Sequence, residues 1–222
     1  MLKPDSLIGF AVGKTTDGLH KLISKDAKKN PKRWKKLKAF QIDENIGAPP
    51  NSLISFSYEL RKELKNLFKI LNPKNIFLID GTKKSKTTIK EAYSFIRKNK
   101  GFDLIVLGLG PEYDPHIAYN TAGQSSINSR MRVVRLHPKV SKKLRDKAGK
   151  SLPWQAPTKG ITIGLKDILD SKKILLIVYG KEKAKSLRLA LKKVSTKVAP
   201  ASALLLHKDL YVLVDKNLAK HL

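Results

Sequence analysis

The chain has 222 residues, 41% of them hydrophobic, and its 46 basic against 18 acidic residues leave a formal charge of +28. That length and apolar content fit one folded domain over residues 1–222 and not a disordered chain. The absence of cysteine excludes disulfides, thiolate metal sites and a cysteine nucleophile, and the five scattered histidines form no metal-binding spacing, so any catalysis has to rest on carboxylates, histidine and lysine.

In chain order, the first strand candidate is LIGFAV, Leu7 to Val12, behind a start that lacks the apolar core of a secretion signal. GKTTDG, Gly13 to Gly18, follows as a loop into a helix expected to begin near Asp17. KDAKKNPKRWKKLK, Lys25 to Lys38, concentrates lysine around Trp34. With no helix-turn-helix, zinc-finger or RNA-recognition signature beside it, it reads as a solvated basic face and not as a nucleic-acid site. LKAFQI (Leu37 to Ile42) is the second strand, and the polar DENIGAPP beginning at Asp43 reads as the loop after it. NSLISFSYELRKELKNLFKIL (Asn51 to Leu71) has apolar residues at helical spacing behind an Asn51 cap. NIFLI (Asn75 to Ile79) is the third strand, TTIKEAYSFIRKN (Thr87 to Asn99) a threonine-capped helix, and DLIVLGL (Asp103 to Leu109) the fourth strand, which ends in GPEYDPHIAYN.

RVVRL (Arg132 to Leu136) is a further strand. SKKLRDKAGKSLPWQAPTK (Ser141 to Lys159), polar and broken by prolines, reads as a long surface loop with at most one helical turn. KILLIVY (Lys173 to Tyr179) and LYVLV (Leu210 to Val214) complete the strands, with the helix KEKAKSLRLALKKV (Lys181 to Val194) between them. The longest apolar run, Ile174 to Tyr179, falls far short of the ~20 residues a membrane helix needs, so the expectation is a soluble cytoplasmic protein with no membrane partner.

Strands apolar on both faces, alternating with amphipathic helices, predict a doubly wound α/β fold of Rossmann type, with a mainly parallel sheet covered on both sides. Such sheets bind ligands beyond the carboxyl ends of their strands. Topology therefore brings Gly13 to Gly18, Asp43, and Asp114 with His116 to one edge, the candidate site. The Gly13 loop is not a P-loop, which needs four residues between its first glycine and its Gly-Lys pair, whereas three separate Gly9 from Gly13. It is either a cradle of backbone N–H groups for one phosphate or an ordinary turn with a threonine cap. Taken alone, Asp43 reads as a cap and His116 as a structural histidine. His20, His137, His207 and His221 read as surface or packing residues.

The segments LIGFAVGKTTDGLHKLI, FQIDENIG, LGLGPEYDPHIAYNTAGQSSINSRMR, ITIGLKDILDSKKILLIVYGKEKAKSL and SALLLHKDLYVLVD resemble, in that order, the glucosamine-6-phosphate deaminase (isomerase) family and its relative 6-phosphogluconolactonase. DPHIAYN resembles the deaminase pattern Asp-Gly-His-Ile-Ala-Phe-Asn, and SALLLH its Ser-Ala-Leu-Gln-Leu-His, which places the chain nearer the deaminases. The resemblance implies that Gly13, Lys14, Thr15, Thr16, Lys183 and, as the weaker match, Arg145 bind a substrate phosphate. It implies that Asp43, with Glu44 beside it, moves the substrate proton, and that Asp114 and His116 assist ring opening. No metal or organic cofactor is called for, and the implied partner is a small sugar phosphate; the number of subunits is left open. Arg132 falls in a region the family uses for effectors.

Three departures stand out: Pro115 replaces the glycine between Asp114 and His116, Thr121 replaces a glutamate, and the usual helix and strand before the first strand are missing. The implied activity converts glucosamine 6-phosphate and water to fructose 6-phosphate and ammonia. The alternatives are hydrolysis of 6-phosphogluconolactone, with His116 activating water, and a non-catalytic sugar-phosphate sensor or nucleic-acid-binding relative, motivated by Thr121 and the charge of +28.

Overall fold

A computed structural model describes residues 2–149 and 156–222. Its strands are β1 (Leu7–Phe10), β2 (Lys38–Gln41), β3 (Asp43–Asn45), β4 (Ile76–Phe77), β5 (Leu104–Gly108), β6 (Arg132–Arg135), β7 (Lys159–Thr162), β8 (Ile174–Val178) and β9 (Leu210–Val214). Its helices are α1 (Lys14–Lys29), α2 (Pro31–Trp34), α3 (Phe56–Glu63), α4 (Lys65–Ile70), α5 (Ser85–Lys98), α6 (Pro138–Ala148), α7 (Leu165–Leu169), α8 (Ala184–Lys192) and α9 (Lys216–Ala219). Six strands form one sheet in the order β4-β2-β1-β5-β8-β9, with every pairing parallel.

This is the expected doubly wound architecture, and the period of two explains how both of its faces are filled. Leu7, Phe40, Ile105 and Leu107 enter one core cluster, with Ala92 of α5, Ile168 of α7 and Leu187 of α8. Their chain neighbours Ile8, Ala39 and Val106 enter the other, with Ala27 of α1, Leu60 of α3 and Leu67 of α4. Going outward from the centre, the chain builds β1, β2 and β4 toward one edge and β5, β8 and β9 toward the other. The order therefore reverses between β1 and β5, where the loops after two adjacent parallel strands splay apart and leave a crevice.

The structure corrects several sequence expectations. The segment after β2 is not a loop: β3 pairs antiparallel with β7, Asp43 opposite Thr162, and β7 pairs antiparallel with β6 in a separate three-stranded sheet. The strand at Arg132 thus belongs to this small sheet and not to the parallel one. The helix expected over Asn51 to Leu71 is divided into α3 and α4, and its cap is Ser55, whose side chain accepts from Tyr58 N. The cap lies there because buried Glu44 takes the Phe56 and Ser57 N–H groups at 2.9 and 2.8 Å and the Ser55 hydroxyl at 2.9 Å, which anchors the helix start.

The expected loop from Ser141 to Lys159 holds most of α6, started by Pro138 in its first turn and by a His137 ring that accepts from Lys139 N. Ser141, Leu144 and Ala148 bury one face of that helix at spacings of three and four, and Gly149 ends it at φ +58°. Residues 150–155 of the expected loop lie outside the described residues. No helix among the described residues is long and apolar enough to cross a membrane.

Candidate active site

Chain direction places the site. β1 runs into Gly13, whose backbone at φ +149° is accessible mainly to glycine, and α1 starts at the next residue, three before the expected Asp17. The Thr16 hydroxyl donates to Ala11 O and Gly13 O at 3.1 Å each, and Thr16 N donates to Gly13 O at 3.0 Å. Thr16 thus holds the turn from inside, and the donors left to face outward come from Gly13, Lys14 and Thr15. β5, hydrogen-bonded beside β1, runs into Gly110, where a Cβ would lie 2.4 Å from Asp114 O and 2.7 Å from the His116 ring. Only a residue without a side chain lets the chain turn back this tightly.

That turn carries the histidine. His116 Nδ1 lies 3.0 Å from Asp114 Oδ2, and Asp114, almost fully buried, accepts from Ala122 N at 3.1 Å through its other oxygen. The carboxylate therefore fixes the imidazole orientation and leaves Nε2 as the working nitrogen. Ala118, two residues on, has φ +50°, a conformation that costs a residue with a Cβ on the order of 1–2 kcal/mol. The strained backbone is held by Tyr119 N donating to Thr162 Oγ1 at 3.1 Å and Tyr119 OH donating to Asn45 Oδ1 at 2.7 Å.

The small sheet supplies the second carboxylate. Adjacent Asp43 and Glu44 point to opposite faces of β3, and their fates differ accordingly. Glu44 accepts hydrogen bonds from Gln41, Asn45, Ser55, Phe56 and Ser57. Asp43 is 4% exposed, and its Oδ1 is buried without a hydrogen-bond partner among the described residues. Burial, with the Glu44 charge adding to it, pushes the Asp43 carboxyl well above the usual range. A buried carboxyl left this way can take or give a proton at a single oxygen.

Asp43, Gly13, Thr15, Thr16, His116 and Lys183 line one cavity of about 320 Å³. The Lys183 ammonium donates to Leu109 O at 2.9 Å at the end of β5, and burial lowers its pKa. Three expected residues do not line the cavity, Asp114 among them, since it contacts His116 without reaching the cavity surface. Lys14 turns toward a neighbouring groove, and Arg145 lies off the cavity, whereas the equally exposed Lys143 and Lys147 of α6 line its rim.

Sequence reasoning missed both lysines and also Tyr113, Tyr119 and Phe56, whose aromatic rings line the cavity too. The i, i+4 spacing of Lys143 and Lys147, interleaved with Val140 and Leu144, carries that signal once the segment is read as a helix. Thr121 is buried and accepts from Gln124 Nε2 at 3.0 Å, so its hydroxyl is engaged away from His116. Arg132 donates to Asn120 Oδ1 at 3.0 Å and Gln124 O at 2.9 Å, bracing the loop that carries the histidine. Of the other histidines, His20 is fully buried against Glu63 at 2.6 Å, His207 bonds Ser171 O at 2.8 Å, and His221 is exposed.

Comparison with known proteins supplies an independent measure. The sequence profile of glucosamine-6-phosphate isomerases/6-phosphogluconolactonase matches residues 6–212. The glucosamine-6-phosphate deaminase of Clostridium botulinum (strain Kyoto / Type A2) is 33% identical over 100% of this chain and 89% of its own length. That of Clostridium acetobutylicum is 32% identical over 100% of this chain and 90% of its own length. Among solved structures, a monomeric glucosamine-6-phosphate deaminase superposes with a TM-score of 0.84 at 26% identity, covering 99% of this chain and 89% of that one. The 6-phosphogluconolactonase of Trypanosoma brucei shares the fold, with a TM-score of 0.74 at 16% identity over 98% of this chain and 86% of that one.

Proposed function

The chain belongs to the family of glucosamine-6-phosphate isomerases and 6-phosphogluconolactonases, and we propose that it converts glucosamine 6-phosphate and water to fructose 6-phosphate and ammonia. The observation that carries this reading is the buried Asp43 carboxyl, one oxygen unpartnered, in the same cavity as His116 and the loop at the start of α1. Identity of 33% with a named deaminase along the full chain supports it.

The substrate's phosphate lies at the N-terminus of α1, where unsatisfied N–H groups and the helix dipole favour an anion. Lys183 and Lys143, both lining the cavity, provide the cations. Each charge-assisted hydrogen bond contributes roughly 1.5–3 kcal/mol net. Arg145 has no part in this arrangement, because it does not line the cavity.

With the phosphate fixed, the sugar reaches across to His116 and Asp43. Opening the ring takes a proton from the anomeric hydroxyl and delivers one to the ring oxygen, a task for an imidazole whose orientation is held by Asp114. The aldehyde so formed acidifies the neighbouring C–H. Asp43 removes that proton from C2 and returns it to C1, which leaves an imine at C2. Water adds to the imine, and ammonia departs. A carboxyl with a raised pKa suits this transfer, because the same group must be base in one half and acid in the next.

The test is the purified protein with glucosamine 6-phosphate in a coupled ammonia assay, run beside 6-phosphogluconolactone. Ammonia released in step with fructose 6-phosphate is the expected result. Acceleration of lactone opening without ammonia would replace this reading with the lactonase one.

A further inference from the structure

A second concavity, of about 840 Å³, lies between α1 and the α3–α4 pair and shares only Lys147 with the cavity above. Lys21, Lys25 and Lys28 recur at helical spacing along one stripe of α1, and Lys62 and Lys65 face them from α3 and α4. Three acids line the same groove, and each is already engaged. Asp17 pairs with Lys21 at 2.6 Å, Glu59 with Lys147 at 2.5 Å, and Glu63 with the buried His20 ring at 2.6 Å. Lys25, Lys28, Lys62 and Lys65 have no carboxylate within ion-pair distance among the described residues. With Lys14, which also lacks such a partner among the described residues, five uncompensated cations thus line the groove from facing helices. Leu53, 50% exposed, and the half-buried Tyr58 line the same groove, so it combines cations with apolar surface.

We propose that this groove binds a nucleoside polyphosphate, with its phosphoryl oxygens bridging Lys25, Lys28, Lys62 and Lys65 and its base resting on Leu53 and Tyr58. A linear oligophosphate carries several negative charges along its length, which suits lysines distributed over both walls. The groove volume lies within the range of small-ligand sites, roughly 300–1,000 Å³. The apolar surface of Leu53 and Tyr58 distinguishes a nucleoside-bearing ligand from bare phosphate, since a flat base buries surface there. The inference is independent of the reaction proposed above.

The probes are ATP and inorganic tripolyphosphate, titrated calorimetrically against the intact protein at two salt concentrations. ATP is expected to bind with a Kd tighter than about 1 mM, more tightly than tripolyphosphate and less tightly at the higher salt. The double variant Lys25→Gln/Lys65→Gln weakens ATP binding roughly tenfold or more. A control, Lys208→Gln/Lys216→Gln, removes the same charge from exposed positions flanking β9 at the far sheet edge and leaves the affinity within about twofold. Equal losses in the two variants would assign the binding to overall charge and overturn the site. Equal affinity for ATP and tripolyphosphate would overturn the nucleoside assignment, and no measurable ATP binding would overturn the proposal. Thermal unfolding of both variants, whose lysines are exposed, confirms that they are folded.

Discussion

Replacing Asp43 by asparagine is the sharpest perturbation of the proposed chemistry. The backbone of β3 is held by its pairing with β7 and by Gln41 Nε2 donating to Asp43 O at 2.8 Å, so an isosteric amide leaves the strand in place. Turnover of glucosamine 6-phosphate is expected to fall by roughly 10²–10⁴-fold, the range for loss of a positioned acid-base group, or about 3–5 kcal/mol of barrier at 1.36 kcal/mol per decade. Phosphate affinity is expected to change little, because the α1 N-terminus and Lys183 are untouched.

The same variant has a thermodynamic signature. The folded-state pKa of Asp43 is raised above its ordinary value of 3.8, so between the unfolded and folded values the native state holds the extra proton. Stability of the parent protein therefore declines as pH rises through that window and stays at the lower level above it. Glu44 shifts in the same direction but is present in both proteins and largely cancels. The asparagine variant is thus expected to gain in Tm relative to the parent as pH is raised from about 4 to 8. Ammonia release and thermal unfolding measured on the two proteins across that range provide the check. Near-normal turnover would remove Asp43 from the mechanism, and a Tm difference independent of pH would refute the raised carboxyl pKa.

Lys183→Ala and Lys143→Ala are each expected to raise KM for the phosphorylated substrate about 10–100-fold with little change for an unphosphorylated analogue, while Arg145→Ala stays close to the parent. A large Arg145 effect would reverse the assignment of cations on α6. Gly110→Ala places a methyl 2.4 Å from Asp114 O and 2.7 Å from the His116 ring, so a folded protein with kcat reduced more than KM is raised is expected from steady-state kinetics. Wild-type kcat there would show that the turn is not what aims the histidine. Thr121→Glu puts a carboxylate one residue from Ala122, whose N–H Asp114 holds, in place of a hydroxyl tied to Gln124. If it lies near His116 it raises the imidazole pKa, moving the pH optimum for ammonia release upward; a folded variant with an unchanged pH profile would exclude any part for position 121 in the relay.

The sequence by itself determined the parallel sheet, because apolar runs filled on both faces and separated by amphipathic helices have one economical packing. It also determined that the ends of β1 and β5 would meet, since that follows from the doubly wound order. Motif resemblance singled out Asp43, Asp114, His116 and Lys183; in the structure Asp43, His116 and Lys183 line one cavity, and Asp114 holds His116 from behind. What tertiary structure decided were the features that depend on contacts distant in sequence. The segment DEN at Asp43 becomes a strand only because β7, more than a hundred residues away, pairs with it. The separate fates of Asp43 and Glu44 follow from that pairing, which turns one toward the cavity and the other onto the start of α3. Likewise, the polar stretch after Pro138 folds as α6 because Leu144 and Ala148 find a buried surface, and it is the resulting helical phase that sets Lys143 on the cavity rim and Arg145 off it. Local propensity cannot encode such choices, because which face of a strand or helix is buried is settled by what packs against it.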